Sequence, residues 1–220
     1  GNNNLEDFLL SEGAEPVVPG LTDFMIFKIF NRETDVDIYG GLWAKKKVCQ
    51  IFKGYIEACQ KDMIAALKKS RFRAPGTFEE MPQLVQGYLG DGDKMGEGWL
   101  RTGGRRELIH SGVPNIVCTQ PFGCLPNHIV GKGVIKELRR HYPQSNIIAV
   151  VYDPGASEVN QLNRIKLMLA TAQKNLSKKA PQRPDSDDRP GNGTTTPGTD
   201  SPGRQETGTA ANMAAASLSS

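Results

Sequence analysis

The sequence has no run approaching the roughly 18 consecutive apolar residues that a bilayer-spanning helix needs, and no basic stretch leads into an apolar one as in a secretory leader. These absences point away from a membrane protein and make the cytoplasm the expected location. Cysteine is sparse, with four in 220 residues and none of the dense, regular spacing of small secreted scaffolds. Reduced thiols, metal ligands or packed residues are expected rather than a disulfide framework. An excess of one charge is also lacking. The net +3 is small and dispersed, and no stretch interleaves basic with aromatic residues, so nucleic acid is not an expected partner. The patterns G-x-G-x-x-G, P-loop, G-x-S-x-G and H-E-x-x-H are missing, which removes support for a hydrolase or a self-contained ATPase. No methionine precedes Gly1 in "GNNNLEDF", so a piece of a longer polypeptide is expected.

What is present is ordinary globular composition, 38% hydrophobic and 23% charged, long enough for one sizeable core or two small ones. The exception begins at Ser177. Residues 177–220 are rich in Pro, Gly, Ser and Thr, and nearly free of large apolar side chains. Five basic residues there balance five acidic ones. Such a segment buries too little surface to offset its ordering entropy, and a disordered low-complexity tail is expected.

In residues 1–176 helix and strand signals alternate. Asn3 or Asn4 caps a short helix through Ser11, and "AEPVVP" is a brief strand. Thr22 then caps the helix "DFMIFKIFN". After Gly40 and Gly41 comes the longest helical pattern, with Val48, Phe52, Tyr55, Cys59, Met63 and Ala66 at steps of three and four, expected to face a core. A further helix is expected from about Thr77 to Leu89. The loop "GDGDKMGEG" follows. It places Asp91, Asp93 and Gly96 at calcium-loop positions, but Met95 and Thr102 stand where further ligands belong, so it reads as a flexible connection. Then come a strand "VPNIVCT", a helix "NHIVGKGVIKELRRHY", a fully buried strand "SNIIAVVYD" and a helix "SEVNQLNRIKLMLATA". Strand, helix, strand, helix implies a right-handed parallel crossover. The expected fold class is α/β, a short parallel sheet with flanking helices, interrupted by a helical insertion at about 41–112.

Parallel strands gather their carboxyl-terminal loops on one edge, where open α/β sheets bind ligands. Three loops belong there: "PGLTD" at 19–23, "QPFGCLPN" at 120–127 and "DPGAS" at 153–157, each ending at a candidate N-cap, Thr22, Asn127 or Ser157. Helix N-termini favour anions, so Cys124, three residues before Asn127, is a candidate thiolate site. A half-buried cysteine in a tight turn is the equally open alternative. Cys118 reads as a small core residue kept in play by its nearness to that loop. Cys49 and Cys59 are ten residues apart on one helix, or about 15 Å, too far for one compact metal centre. Cys59 falls on the apolar stripe and is expected in the core. C-x5-C alone does not make a zinc finger. His110 and His141 read as surface residues, and His128 as a neighbour able to tune a thiolate.

At "CTQPFGCLPNHIVGKGVIKELRRHYP" and "YDPGASEVNQLNRIKLMLATA" the sequence resembles the carboxyl-terminal region of the large acyl-CoA dehydratase activase-related proteins, relatives of the 2-hydroxyacyl-CoA dehydratases and of the 2-hydroxyglutaryl-CoA dehydratase activator. The likeness extends through "GDKMGEGWL", "SEGAEPVVPGLTDF" and "NNNLEDFL", covering about residues 1 to 176. The resemblance implies a Rossmann-like unit of an iron–sulfur protein whose loop cysteines hold a 4Fe-4S cluster for low-potential electron transfer. In the dehydratases that electron generates a ketyl radical on a 2-hydroxyacyl-CoA, and the activator drives it with ATP. Carried over to this sequence, Cys124 is the first candidate metal ligand and Cys118 the second, with the remaining ligands outside this segment. The implied partners are the remaining domains or subunits of such a system, and acyl-CoA.

Two further readings stand beside that one. The chain is a non-catalytic α/β scaffold docking to the rest of a larger protein, with its cysteines merely packed. Alternatively it is a CoA- or nucleotide-binding module that uses the loop edge for phosphates.

Overall fold

The computed structural model describes residues 3–93, 96–153 and 155–179, and the backbone of 211–216. It is an α/β protein with a parallel sheet, in the order α1 (Leu5–Ser11), β1 (Ala14–Val17), α2 (Leu21–Tyr39), α3 (Trp43–Lys68), α4 (Met81–Val85), α5 (Gly98–His110), β2 (Asn115–Pro121), α6 (Lys132–His141), β3 (Asn146–Tyr152), α7 (Glu158–Lys179) and β4 (Ala211–Ala216). A single turn of 3-10 helix, Phe78–Glu80, leads into α4, and a π-helical turn, Asn127–Gly131, leads into α6. No helix among the described residues is long and apolar enough to cross a membrane.

β2 and β3 pair in parallel over seven residues, from Asn115 opposite Asn146 to Pro121 opposite Tyr152. The crossover between them is α6, as the alternation of apolar runs and helical spacing predicts. The backbone of β4 lies between β1 and β2, parallel to both, giving the order β1-β4-β2-β3. The expectation of a disordered segment from 177 onward therefore changes at both ends. Ser177 to Lys179 continue α7, and Ala211–Ala216 join the sheet through main-chain hydrogen bonds that need no apolar side chains. Residues 180–210 and 217–220 lie outside the described set.

The sheet separates two cores. On one face Leu5 and Leu9 of α1 and Ile165, Met168 and Leu169 of α7 close over Val117 and Val150. On the other, Leu108 of α5 and Val134, Ile135 and Leu138 of α6 close over Ile116 and Ile147. The two-residue period of β2 sends Ile116 and Val117 to opposite faces, which is why both its neighbours are satisfied by one short apolar run. β3 is the outer strand. Only Ile147 and Val150 of its seven residues are buried and the others are half-buried, so the expectation of a fully buried strand is corrected: it has a strand on one side only.

The helical excursion starts at Leu21, ahead of the expected 41, and occupies the chain between β1 and β2. A third core, built around stacked Phe27 and Trp99 (5.4 Å) with Phe78, Met81 and Val85, joins α2, α4 and α5. The expected helix from Thr77 to Leu89 shortens to the 3-10 turn and α4.

The largest correction concerns α3. The stripe Val48, Phe52, Tyr55, Cys59, Met63 and Ala66 faces solvent, with Tyr55 68% exposed. The inward face is mostly polar. Gln60 Nε2 donates to Asp23 Oδ1 (2.6 Å), Lys53 pairs with Glu33 (2.9 Å), and Lys46 pairs with Asp37. These bridges to α2, with Ile64 beside them, decide which face turns in.

Candidate functional site

Because the strands are parallel, the segments leaving Val17, Pro121 and Tyr152 emerge on one rim. The last two are tied together: the Phe122 N–H donates to the Tyr152 carbonyl (3.0 Å). Gly123, at φ +72°, then lets the chain reverse, and the Cys124 N–H closes the turn on the Pro121 carbonyl (3.2 Å). The Cys124 carbonyl accepts from His128 N–H (3.0 Å), the first bond of the helical turn. Cys124, rather than the expected Asn127, therefore stands directly ahead of the helix. Asn127 is buried, and its Nδ2 donates to Cys124 Sγ at 3.1 Å. Cys124 is half-buried, and its apolar chain neighbours Phe122 and Leu125 are strongly exposed.

Close approach fixes this loop from below. A side-chain carbon at Gly98 would lie 2.6 Å from Val130 Cβ, and one at Gly96 would lie 2.4 Å from Pro126 Cγ. The glycines of "GDKMGEGWL" thus let the start of α5 press against the loop and turn that carry Cys124.

Cys118 is placed differently. β2 runs two residues past the expected Thr119, so Cys118 lies within the strand and is 1% exposed. Buried Arg105 donates from Nη2 to Cys118 Sγ (2.7 Å) and from Nη1 to the Gly131 carbonyl (2.7 Å). A side-chain carbon at Gly131 would sit 3.4 Å from that Nη2, so the glycine leaves room for the guanidinium. Buried Gln120 donates to the Asn127 carbonyl (2.9 Å). Three polar atoms of this group, Arg105 Nε, Gln120 Oε1 and Asn127 Oδ1, are buried with no hydrogen-bond partner among the described residues.

This donor set does not hold an iron–sulfur cluster by itself. Such a centre takes thiolates from about four cysteines. Of the two candidate ligands, Cys118 is enclosed with its Sγ against Arg105, and Cys124 is half-buried. Among the described residues no three His, Cys, Asp or Glu side chains converge where a metal would sit. Cys49 and Cys59 lie away on α3, and Cys59 is exposed rather than in the core as expected. His110 meets the Tyr142 hydroxyl (2.8 Å), and His141 lies beside Glu137 (3.4 Å). The sulfur of Cys124 is met by Asn127 rather than by His128.

The loop after β1 opens onto a cavity of about 280 Å³, walled by Val17, Pro19, Met81, Leu100 and Leu108, with Arg105 also in its lining. Two acids line it. Burial raises the Asp23 carboxyl above the usual range, against the lowering effect of Gln60. Burial likewise raises Glu107, opposed by the Gly76 N–H that donates to its Oε1 (2.6 Å) and reinforced by nearby Asp23. α2 begins at Leu21, one residue before the expected cap Thr22, with no side-chain cap. Ser157 does precede α7, and its carbonyl accepts from Asn160 N–H (3.0 Å). At the end of β3, burial pushes the Tyr152 phenol up to about 12.

Arg105, Asn127 as a hydrogen-bond donor to the Cys124 sulfur, Asp23 and Glu107 are the features that sequence reasoning missed. Only Asn127 carried a signal, and it pointed to a cap. Compared with known proteins, the chain matches no protein-family model, no curated protein and no solved structure.

Proposed function

We propose that this chain is a Rossmann-like, cytoplasmic α/β part of an iron–sulfur redox system of the 2-hydroxyacyl-CoA dehydratase/activase type, without turnover of its own. In this reading Cys124 supplies one thiolate to a 4Fe-4S cluster whose other ligands come from another domain or subunit. The cluster would supply low-potential electrons for chemistry on an acyl-CoA. The observation that carries the reading is half-buried Cys124, whose sulfur accepts from Asn127 directly ahead of a helix at the rim, with its chain neighbours Phe122 and Leu125 exposed. An apolar rim favours coverage by a second surface. Support also comes from the likeness of the segments around Cys124 and Tyr152 to that family.

Anaerobic incubation of the 220-residue chain with iron and sulfide tests it. Labile iron with weak thiolate-to-iron absorbance, lost in Cys124→Ser and kept in Cys118→Ser, is the expected result. A colourless protein removes the ligand role for this segment alone, and absorbance indifferent to Cys124→Ser removes it altogether.

A second reading is favoured by α3. An apolar stripe left in water on a helix anchored from its polar side suits a scaffold that docks to another polypeptide. It requires that Cys118→Ala and Cys124→Ala leave the fold and the docking intact.

A further inference from the structure

α3 presents Val48, Ile51, Phe52, Tyr55, Cys59 and Met63 to solvent along one side, with Ile51 74% exposed. From Val48 to Ala66 the stripe is about 27 Å long, the length of a five-turn helix contact. Small residues border it. Gly54 has nothing within 4 Å of where a side-chain carbon would stand, and Ala58 and Ala65 are exposed beside it. A border of small residues lets a second backbone come close.

Charge narrows what can cover this face. Lys45 and Lys47 stand at one end and Lys69 at the other, all exposed and in no ion pair among the described residues. A second copy of the chain would set lysine against lysine at the ends, whether the two helices ran parallel or antiparallel. An anionic membrane would suit the lysines, but Asp62 lies within the apolar face at helical spacing from Cys59, Tyr55 and Ala66 and would be driven into lipid. A helix satisfies both, with acids at its two ends and a base opposite Asp62.

We propose that the outer face of α3 seats an amphipathic helix of a partner polypeptide, apolar along its centre and acidic at both ends. This rests on the docking reading above and adds the chemistry of the partner.

Two synthetic helical peptides test it, each with a leucine stripe at three- and four-residue steps and one lysine placed to face Asp62. One carries glutamates at both ends and the other lysines. Binding to the full chain is read by fluorescence anisotropy, beside sedimentation of the chain alone and with phosphatidylserine-containing vesicles. The acidic-ended peptide is expected to bind at least tenfold more tightly, to weaken with salt, and to be lost in Phe52→Glu. Lys45→Glu combined with Lys69→Glu should reverse the preference. Equal binding of both peptides, or a dimer or vesicle binding abolished by Phe52→Glu, overturns the proposed chemistry while leaving α3 a docking face. A monomer that binds neither peptide nor vesicles overturns the docking reading as well.

Discussion

Arg105 holds Cys118: the guanidinium Nη2 stands 2.7 Å from Sγ, with both residues almost fully enclosed. The contact joins α5 to the middle of β2, and the other arm of the same guanidinium reaches the Gly131 carbonyl ahead of α6. One side chain thus ties three elements beneath the rim. No carboxylate faces Arg105 in the ion pairs of the described residues, so the sulfur and the carbonyl are its acceptors.

Loss of that sulfur should be felt as loss of an acceptor for a charged donor. Cys118→Ala is expected to cost about 1.5–3 kcal/mol, while Cys118→Ser, which keeps an acceptor, costs less. Urea unfolding of the two variants checks the order. In the native protein Cys118 should react with a thiol reagent on the order of 100-fold more slowly than exposed Cys59, because it must wait for an opening. Equal stability of Ala and Ser at 118 would show the sulfur to be packing alone.

The acids of the 280 Å³ cavity predict a pH dependence. Asp23 and Glu107 are raised above their ordinary 3.8 and 4.5, so the folded state holds their protons more tightly than the unfolded chain does. Their contribution to stability is complete below the ordinary values and is lost as pH rises through the raised ones. Asp23→Asn keeps an acceptor for Gln60, and Glu107→Gln keeps one for Gly76 N–H. The urea midpoint of either variant, relative to the unaltered chain, should therefore climb from about pH 4 to neutrality. A difference that stays flat with pH would mean that neither carboxyl is perturbed.

The succession β2, α6, β3, α7 was legible because each strand is a short apolar run and each helix an apolar stripe, separated by Gly, Pro and Asn. The same reasoning failed on α3. Periodicity tells which residues share a face, but not whether this chain contains anything to cover that face. Tyr55 and Cys59 do share one, and it is the outer one. Arg105 was illegible for a different cause. Its burial depends on Cys118 and Gly131, distant in sequence, meeting it across the core. β4 left no side-chain signal, since "ANMAAA" has no β-branched or aromatic residue, and its pairing is a main-chain matter.

The outer edge of β3 yields the last prediction. In parallel pairing the N–H and C=O of one residue point the same way. Asn146 N–H donates to Pro114 and the Tyr152 carbonyl accepts from Phe122, so the even-numbered residues address β2. Ile147, Ala149 and Val151 therefore turn their carbonyls outward, and each is taken by a side chain. Arg139 of α6 reaches Ile147, Arg164 of α7 reaches Ala149 (3.2 Å), and Gln161 reaches Val151 (3.1 Å). An uncapped edge is a template for pairing with another chain, and cationic side chains laid along it block that. Arg139→Ala combined with Arg164→Ala should leave a folded protein that self-associates at micromolar concentration, seen as a concentration-dependent rise in mass by light scattering. Lys132→Ala combined with Lys136→Ala removes the same charge from the same groove without freeing a carbonyl, and should stay at its original mass. If both pairs associate alike, repulsion rather than carbonyl capping guards the edge; if neither does, the strand is protected by its neighbours α6 and α7 alone.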